Sequence, residues 1–492
     1  MTEIFRHRPI RATLGLAALL WPSTAITPAW AQTSTEPAVV SEAPSNAEAT
    51  PYDAESTPAE AAAEQPKGFW ERDTLTGEWG GLRPALDDAG FKLTGNYTGE
   101  MLGNPKGGIR NRWVATGNLE IDVDADFAKL IGWEGLTFHL SSFQLHGRGM
   151  SNNFLGNQFT VRDIEAAPAT RIWSMWFQQA FADNAASVRV GQMPWQEEFV
   201  VSAYGASFIN GTFGWPIGFA ANFVNAGGAY PLATTGARLS VNPADKMNIM
   251  VAAFDGDPAA GNQRGQDPTR KNVDGLNVRL KTPPVFFVEG RYGSPMDSDE
   301  GLPTMVKLGG WVHTGRFDDP HWSTNGTSLG SGTSTGIPMG HRGNWELYAI
   351  VDTMLWRDDT NPKRNIGAFT RLMGGPDDRN QMPYYGELGL NWQGMIEGRD
   401  DDIAGIALAY GRMSRALAAQ DHDARLFGTS LAPSRDFELA FEALYRYAVT
   451  PWWTMIPDAQ YIVHPGGGAA YPGTQRRIPD AAVLGVRSVF KL

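Results

Sequence analysis

The sequence predicts an all-β fold, a transmembrane antiparallel β-barrel. Three observations carry that prediction. Apolar and polar residues alternate with a period of two in many short runs, as in strands with one apolar and one polar face. Past the N-terminal region no stretch of 18 or more apolar residues occurs, so no segment reads as a transmembrane helix. Aromatic residues, with Trp 17, Tyr 13 and Phe 24, gather at the ends of the alternating runs, where barrel girdles lie. Only helices and closed barrels satisfy their backbone groups in lipid, so a membrane chain without apolar helices has to be a barrel. A soluble all-β protein also alternates, and period two alone leaves that alternative open.

The elements follow in order. Residues 1–31 read as a secretory signal: Arg6, Arg8 and Arg11, an apolar core from Leu14 to Trp21, and the cleavage pattern Ala29-Trp30-Ala31. Residues 32–67 are an acidic Ala/Pro/Glu-rich linker in which seven acids, from Glu36 to Glu64, face only Lys67. So few bulky apolar residues cannot offset the entropy of ordering the chain, and disorder is expected. Residues 68–492 form the barrel domain. Alternation is clearest in 119–127, 187–191, 276–280, 438–447 and 486–490. Turns are expected at Asn242-Pro243-Ala244-Asp245, at Gly398 to Asp402 and at Pro451-Trp452-Trp453, and a long extracellular loop at 323–343. Trp345 and Trp356 bracket one strand, and Trp392 and Tyr410 are placed at comparable ends of the strands flanking 394–402.

Composition narrows the chemistry. The chain of 492 residues has no cysteine, which removes disulfides, thiol catalysis and Cys-based metal sites. A net charge of -12 argues against nucleic-acid binding. The eight His are scattered, and no HExxH, G-x-S-x-G, Walker or Rossmann motif is present. Asp400-Asp401-Asp402 reads as a charged turn, and Asp255 and Asp257 around Gly256 as a tight turn. No catalytic residue, metal or cofactor is expected.

Four blocks go beyond fold class. The first is Leu75-Thr76-Gly77-Glu78-Trp79-Gly80-Gly81-Leu82-Arg83, leading through a short helix with Pro84 at its first position to Gly90 and a strand from Phe91. The second runs from Trp176-Phe177-Gln178-Gln179 through Val188-Arg189-Val190-Gly191-Gln192 to Glu197-Glu198-Phe199. The third is Phe208-Ile209-Asn210-Gly211-Thr212-Phe213-Gly214-Trp215-Pro216, followed by Ala229-Tyr230-Pro231-Leu232 and Ala253 to Pro258. The fourth is Gly374-Gly375-Pro376-Asp377-Asp378-Arg379-Asn380, then Gly386 to Trp392 and Gly398-Arg399-Asp400-Asp401-Asp402. In this order, over roughly residues 69–492, they resemble the carbohydrate-selective porins of the OprB family. The resemblance implies sixteen strands, inward-folded loops that narrow the pore, and passive uptake of glucose-like sugars or polyols across the outer membrane of a Gram-negative cell. It also implies contact with outer-membrane lipid and lipopolysaccharide, passage through the barrel-assembly machinery, and a monomer or small homo-oligomer. One departure is the last strand, which ends Phe490-Lys491-Leu492 rather than on an aromatic residue. A non-selective porin, one for anionic or other solutes, and a barrel enzyme remain as alternatives.

A pore for neutral sugars needs hydrogen-bonding groups on its wall and aromatic rings for the apolar sugar faces. Strand parity nominates Asp122, Arg189, Arg238, Arg279, Glu346, Tyr348, Arg371, Glu387, Glu442 and Arg487 as inward-facing. Glu197, Glu198, Asn210 and Trp215 flank the segments expected to fold inward, with Trp215 either a stacking platform or a wedge holding a loop to the wall. The pore-lining candidates are therefore Arg189, Glu197, Glu198, Asn210, Trp215, Arg238, Arg279, Glu387 and Arg487.

Overall fold

The computed structural model describes residues 68–261, 266–298 and 301–492. The expected signal segment and acidic linker lie outside these residues. Sixteen strands pair in sequence order, each antiparallel to the next, and the sixteenth closes on the first. They are β1 (Phe91–Lys106), β2 (Trp113–Asp126), β3 (Leu136–Gly147), β4 (Ala169–Phe181), β5 (Ala186–Met193), β6 (Thr234–Ala244), β7 (Met247–Asp255) and β8 (Pro284–Gly293). The second half comprises β9 (Thr304–Ser323), β10 (Pro338–Arg357), β11 (Asn365–Gly374), β12 (Tyr384–Gln393), β13 (Ile403–Arg412), β14 (Phe437–Thr450), β15 (Trp453–Val463) and β16 (Ala481–Lys491).

One end of the barrel carries short connections, such as Asp245-Lys246 and Pro451-Trp452, and the other carries long ones, 148–168, 194–233, 256–283 and 413–436. Short periplasmic turns and long extracellular loops are the rule for such barrels. The alternation sorts cleanly between faces. Val190, Leu239, Val251, Val288, Leu308, Leu347, Leu388 and Ile406 are exposed on the outer wall, while Glu100, Glu289, Asp352, Arg371, Glu387 and Glu442 are buried inside. Trp345 and Trp356 both stand exposed on β10. Eleven residues at 3.3 Å, tilted by about 40°, put them roughly 28 Å apart along the membrane normal, close to the height of an apolar band.

Several local expectations are corrected. Residues 276–280 alternate but form no strand. The Leu276 and Asn277 amides are taken by the side chains of Asp274 and Asn272, and those of Lys281 and Thr282 by Asp255. Backbone donors satisfied this way are not offered to a ladder, and Leu276, Val278 and Leu280 stay exposed within the 256–283 loop. The expected loop at 323–343 shrinks to 324–337, because β9 and β10 pair as far as Ser323 and Pro338. The turn placed at 242–245 is Asp245-Lys246, with Ala244 already paired to Met247. Trp392 pairs with Ala404 beside the 394–402 turn, whereas Tyr410 pairs with Gly386 near the other end, so they mark opposite rims. Pro84 is the third rather than the first residue of the helix Leu82–Asp88. Phe127 opens the short helix Phe127–Ile131 instead of ending β2.

Candidate pore constriction

Two extracellular segments fold back into the barrel. The longer, 194–233, carries an aromatic set with no strand period: Trp195, Phe199, Phe208, Phe213, Trp215, Phe219 and Phe223, all buried. These rings meet inward aromatics of the wall. Phe199 stacks on Phe287 at 4.9 Å, Phe223 lies 4.1 Å from Trp311, Phe208 lies 5.8 Å from Phe369, and Phe219 meets Tyr348 edge-on at 5.9 Å. Burying one such ring contributes roughly 1.5–3 kcal/mol.

A loop inside a barrel must still satisfy its backbone, and wall side chains do this. Glu289 accepts from the Val200 amide at 3.0 Å, and Glu442 from the Ile209 and Asn210 amides at 2.7 and 2.9 Å. Asp352 accepts from the Ser202 hydroxyl at 2.5 Å. In the opposite sense, Arg291 donates to Glu198 O, Lys307 to Val201 O, and Arg371 to Val200 O, Gly214 O and Phe213 O. Glu442 and Arg371 are among the residues that strand parity nominates as inward, whereas Glu289, Asp352, Arg291 and Lys307 are not; together they pin the loop along β8–β14.

The second inward segment is 148–168, between β3 and β4. Glu438 accepts from the Gln158 and Phe159 amides, at 2.9 and 2.6 Å, and the Gln460 amide group donates to Val161 O at 2.8 Å. Arg487 of β16 pairs with Glu100 of β1 and with Asp163 of this segment, and Arg162 lies 3.5 Å from Glu100. The two segments are joined by Asp163 N–H to Ile209 O at 2.9 Å and Gly211 N–H to Thr160 O at 2.8 Å. Nothing in the local sequence of 148–168 signals this, since its partners lie on β1, β14, β15 and β16.

Along β2–β6 the inner wall carries a polar cluster that the packed loop reaches through Glu198. Arg189 donates to Glu198 Oε1 at 2.5 Å and to Gln178 Oε1 at 3.1 Å. Arg238, directly across the strand pair from Arg189, donates to Glu198 Oε2 at 2.9 Å, to Gln178 Oε1 at 2.9 Å and to the Ser187 hydroxyl at 2.7 Å. Burial alone would raise the Glu198 carboxyl, but Arg189 and Arg238 on either side hold it below its ordinary value. Glu197 beside it lacks such a clamp. Burial pushes its carboxyl up to about 7 against the pull of His139 and Arg189, and its Oε1 has no hydrogen-bond partner. Trp176 links this belt: the Arg189 guanidinium lies 3.6 Å over its ring, and His139 of the neighbouring strand stacks on it at 4.9 Å. His139 in turn meets Asp124 at 2.7 Å.

The nine candidates therefore fall in different places. Arg189, Arg238 and Glu198 come together as one cluster, with Glu197 adjacent. Asn210 caps the turn Gly211–Gly214 by accepting from the Thr212 amide, and donates to Gln460. Trp215 is buried, donates its indole N–H to Phe199 O at 3.0 Å and meets Phe219 edge-on at 5.2 Å, the contacts of a wedge. Glu387 accepts from Arg371 at 2.5 Å and from Tyr385. Arg487 belongs to the brace on Glu100 and Asp163. Arg279 lies on the 256–283 loop, where it donates to Asp257 O at 3.0 Å. Trp176 and Gln178 stood in the second sequence block without being singled out, and His139 had no local signal.

A barrel of sixteen strands narrowed by two inward segments, with a charged belt along β2–β6, is the architecture of a channel. Comparison with known proteins agrees. The family model described as "Carbohydrate-selective porin, OprB family" matches residues 111–492. The chain belongs to the OprB family of carbohydrate-selective porins. It is 24% identical to Porin B of Pseudomonas aeruginosa over 427 residues, covering 83% of this chain and 89% of that protein. It is 23% identical to the putative porin QuiX of Acinetobacter baylyi over 448 residues, covering 85% and 93%. The high-pH structure of Pseudomonas putida OprB superposes with a TM-score of 0.77 at 22% identity, covering 87% of this chain and all of that one, which shows the shared fold. As an OprB-family member the protein is an outer-membrane porin for carbohydrates.

Proposed function

We propose that the protein passes glucose-sized sugars by passive diffusion, and that the belt on β2–β6 is the surface they contact at the narrowest point. The observation that carries this is the Arg189–Glu198–Arg238 cluster, in which the loop's own Glu198 meets two wall arginines and Trp176 lies against one of them. Two arginines sharing one carboxylate offer donors and acceptors to hydroxyls, and Glu197 beside them offsets the remaining positive charge when it is ionised. Arg189 keeps its Nη2 group free of any partner among the described residues. Both faces of Trp176 are flanked, by Arg189 and His139, and Trp215 is buried, so recognition here rests on hydrogen bonds rather than on a sugar sliding over open rings. Arg279, away from the belt, is assigned no contact with sugar. Glu387, Asn210 and Arg487 set the shape of the passage by holding its two loops.

Liposome swelling with the full protein tests this. Influx of glucose several-fold faster than of a disaccharide, and of gluconate, is the expected result. Equal rates for glucose and gluconate would instead favour a general porin. Faster gluconate would favour one for anionic solutes.

A further inference from the structure

We propose that the outer wall of the β9–β10 hairpin carries a binding site for a phosphate group of an outer-leaflet lipid, formed by Arg316 and Arg342. The two residues are directly paired across the strands. Both are exposed, on the same outer face as Val312 and Trp345. Like charges directly opposite each other on a sheet repel. No carboxylate of the described residues lies within ion-pair distance of either guanidinium, although ion pairs are abundant elsewhere in the extracellular loops. Asp318, the next residue of β9 on that face, has a partner of its own. Asp319 points inward, where it holds His341 at 2.8 Å and accepts from the His321 and Trp322 amides.

Height selects the ligand. Val312 pairs with Trp345 at the upper edge of the apolar wall. Four further residues place Arg316 about 13 Å along the strand, roughly 10 Å higher in a barrel tilted by about 40°. That is the zone of lipid headgroups, not of acyl chains. Two guanidinium groups side by side match the oxygens of a phosphate, which removes their repulsion by bridging them. The Arg316 guanidinium lies against Gly340, where an added Cβ would stand 2.9 Å from Nη2, so glycine there leaves the arginine its place. Such a site would hold the porin in a leaflet rich in phosphorylated lipid independently of what passes through the pore.

The test uses the full protein in mixed micelles and measures binding of phosphorylated lipid A, of lipid A stripped of its phosphates, and of inorganic phosphate. The expected result is binding of phosphorylated lipid A, weakened roughly tenfold or more in R316A/R342A. Removal of the phosphates should produce the same loss, and millimolar inorganic phosphate should compete poorly. R316K/R342K, which keeps the charge but not the planar fork, should fall between. Heat-modifiable gel mobility reports that each variant is folded. Unchanged binding by folded R316A/R342A would overturn the proposal. So would equal binding of dephosphorylated lipid A, or full competition by inorganic phosphate, which would mark a free-anion site.

Discussion

The two sides of the lumen are built from the same alternating strands yet have opposite fates. Along β8–β14 the inward residues include Phe287, Trp311, Tyr348 and Phe369, and a loop rich in Phe and Trp fills the space against them. Charged residues among those rings, such as Glu289, Glu442 and Arg371, are used up by loop amides and carbonyls. Along β2–β6 the inward set includes Asp122, Asp124, His139, Gln178, Arg189 and Arg238 around the ring of Trp176, while Phe143 and Trp173, nearer the extracellular end of β3 and β4, meet Tyr230 of the loop. An inward charge is therefore not by itself a pore residue. What decides is whether aromatics beside it recruit a loop.

Breaking the packed side should have the largest effect. Phe223 contacts Trp195, Phe219 and Trp311, and F223A should cost about 3–5 kcal/mol of local packing. The expected readout is a larger, noisier single-channel conductance as the loop loosens. Arg371 is fully buried, paired with Glu387 and capping four loop carbonyls. R371A leaves Glu387 without its cation and should cost a similar amount, about 3–5 kcal/mol. A lowered temperature for the heat-induced shift in gel mobility checks this.

Along β2–β6 the expected effects are smaller and concern selectivity. W176A removes the ring that seats Arg189 and His139. Glucose should then block ion current several-fold less well, with barrel stability nearly unchanged. The smallest effect concerns pH. Glu197 is neutral below about 7 and ionised above it, so a negative charge appears beside Arg189 as pH rises. Reversal potentials in a KCl gradient should shift toward cation preference between roughly pH 6 and 8. E197Q should remove most of that shift.

Much of the barrel was legible because strand period and girdle aromatics are local signals. The limits were equally physical. At 276–280 the alternation was real, but Asp274, Asn272 and Asp255 had already claimed the backbone donors. At the constriction, parity correctly sent Arg371, Glu387, Glu442 and Arg487 inward and could not tell which would meet a loop. The cluster of Arg189, Glu198 and Arg238 unites two strands and a loop turn. The role of 148–168 depends on Glu438 and Arg487, hundreds of residues downstream.

The central claim is that the polar belt on β2–β6 is the surface sugars touch. Single-channel recording of the refolded protein in a planar bilayer, titrated with glucose and compared with W176A, tests it most directly. The account predicts steady channels whose current falls as glucose is added, with the concentration for half-block rising several-fold in W176A. Steady channels blocked equally well in both proteins, or not blocked by glucose in either, would contradict it.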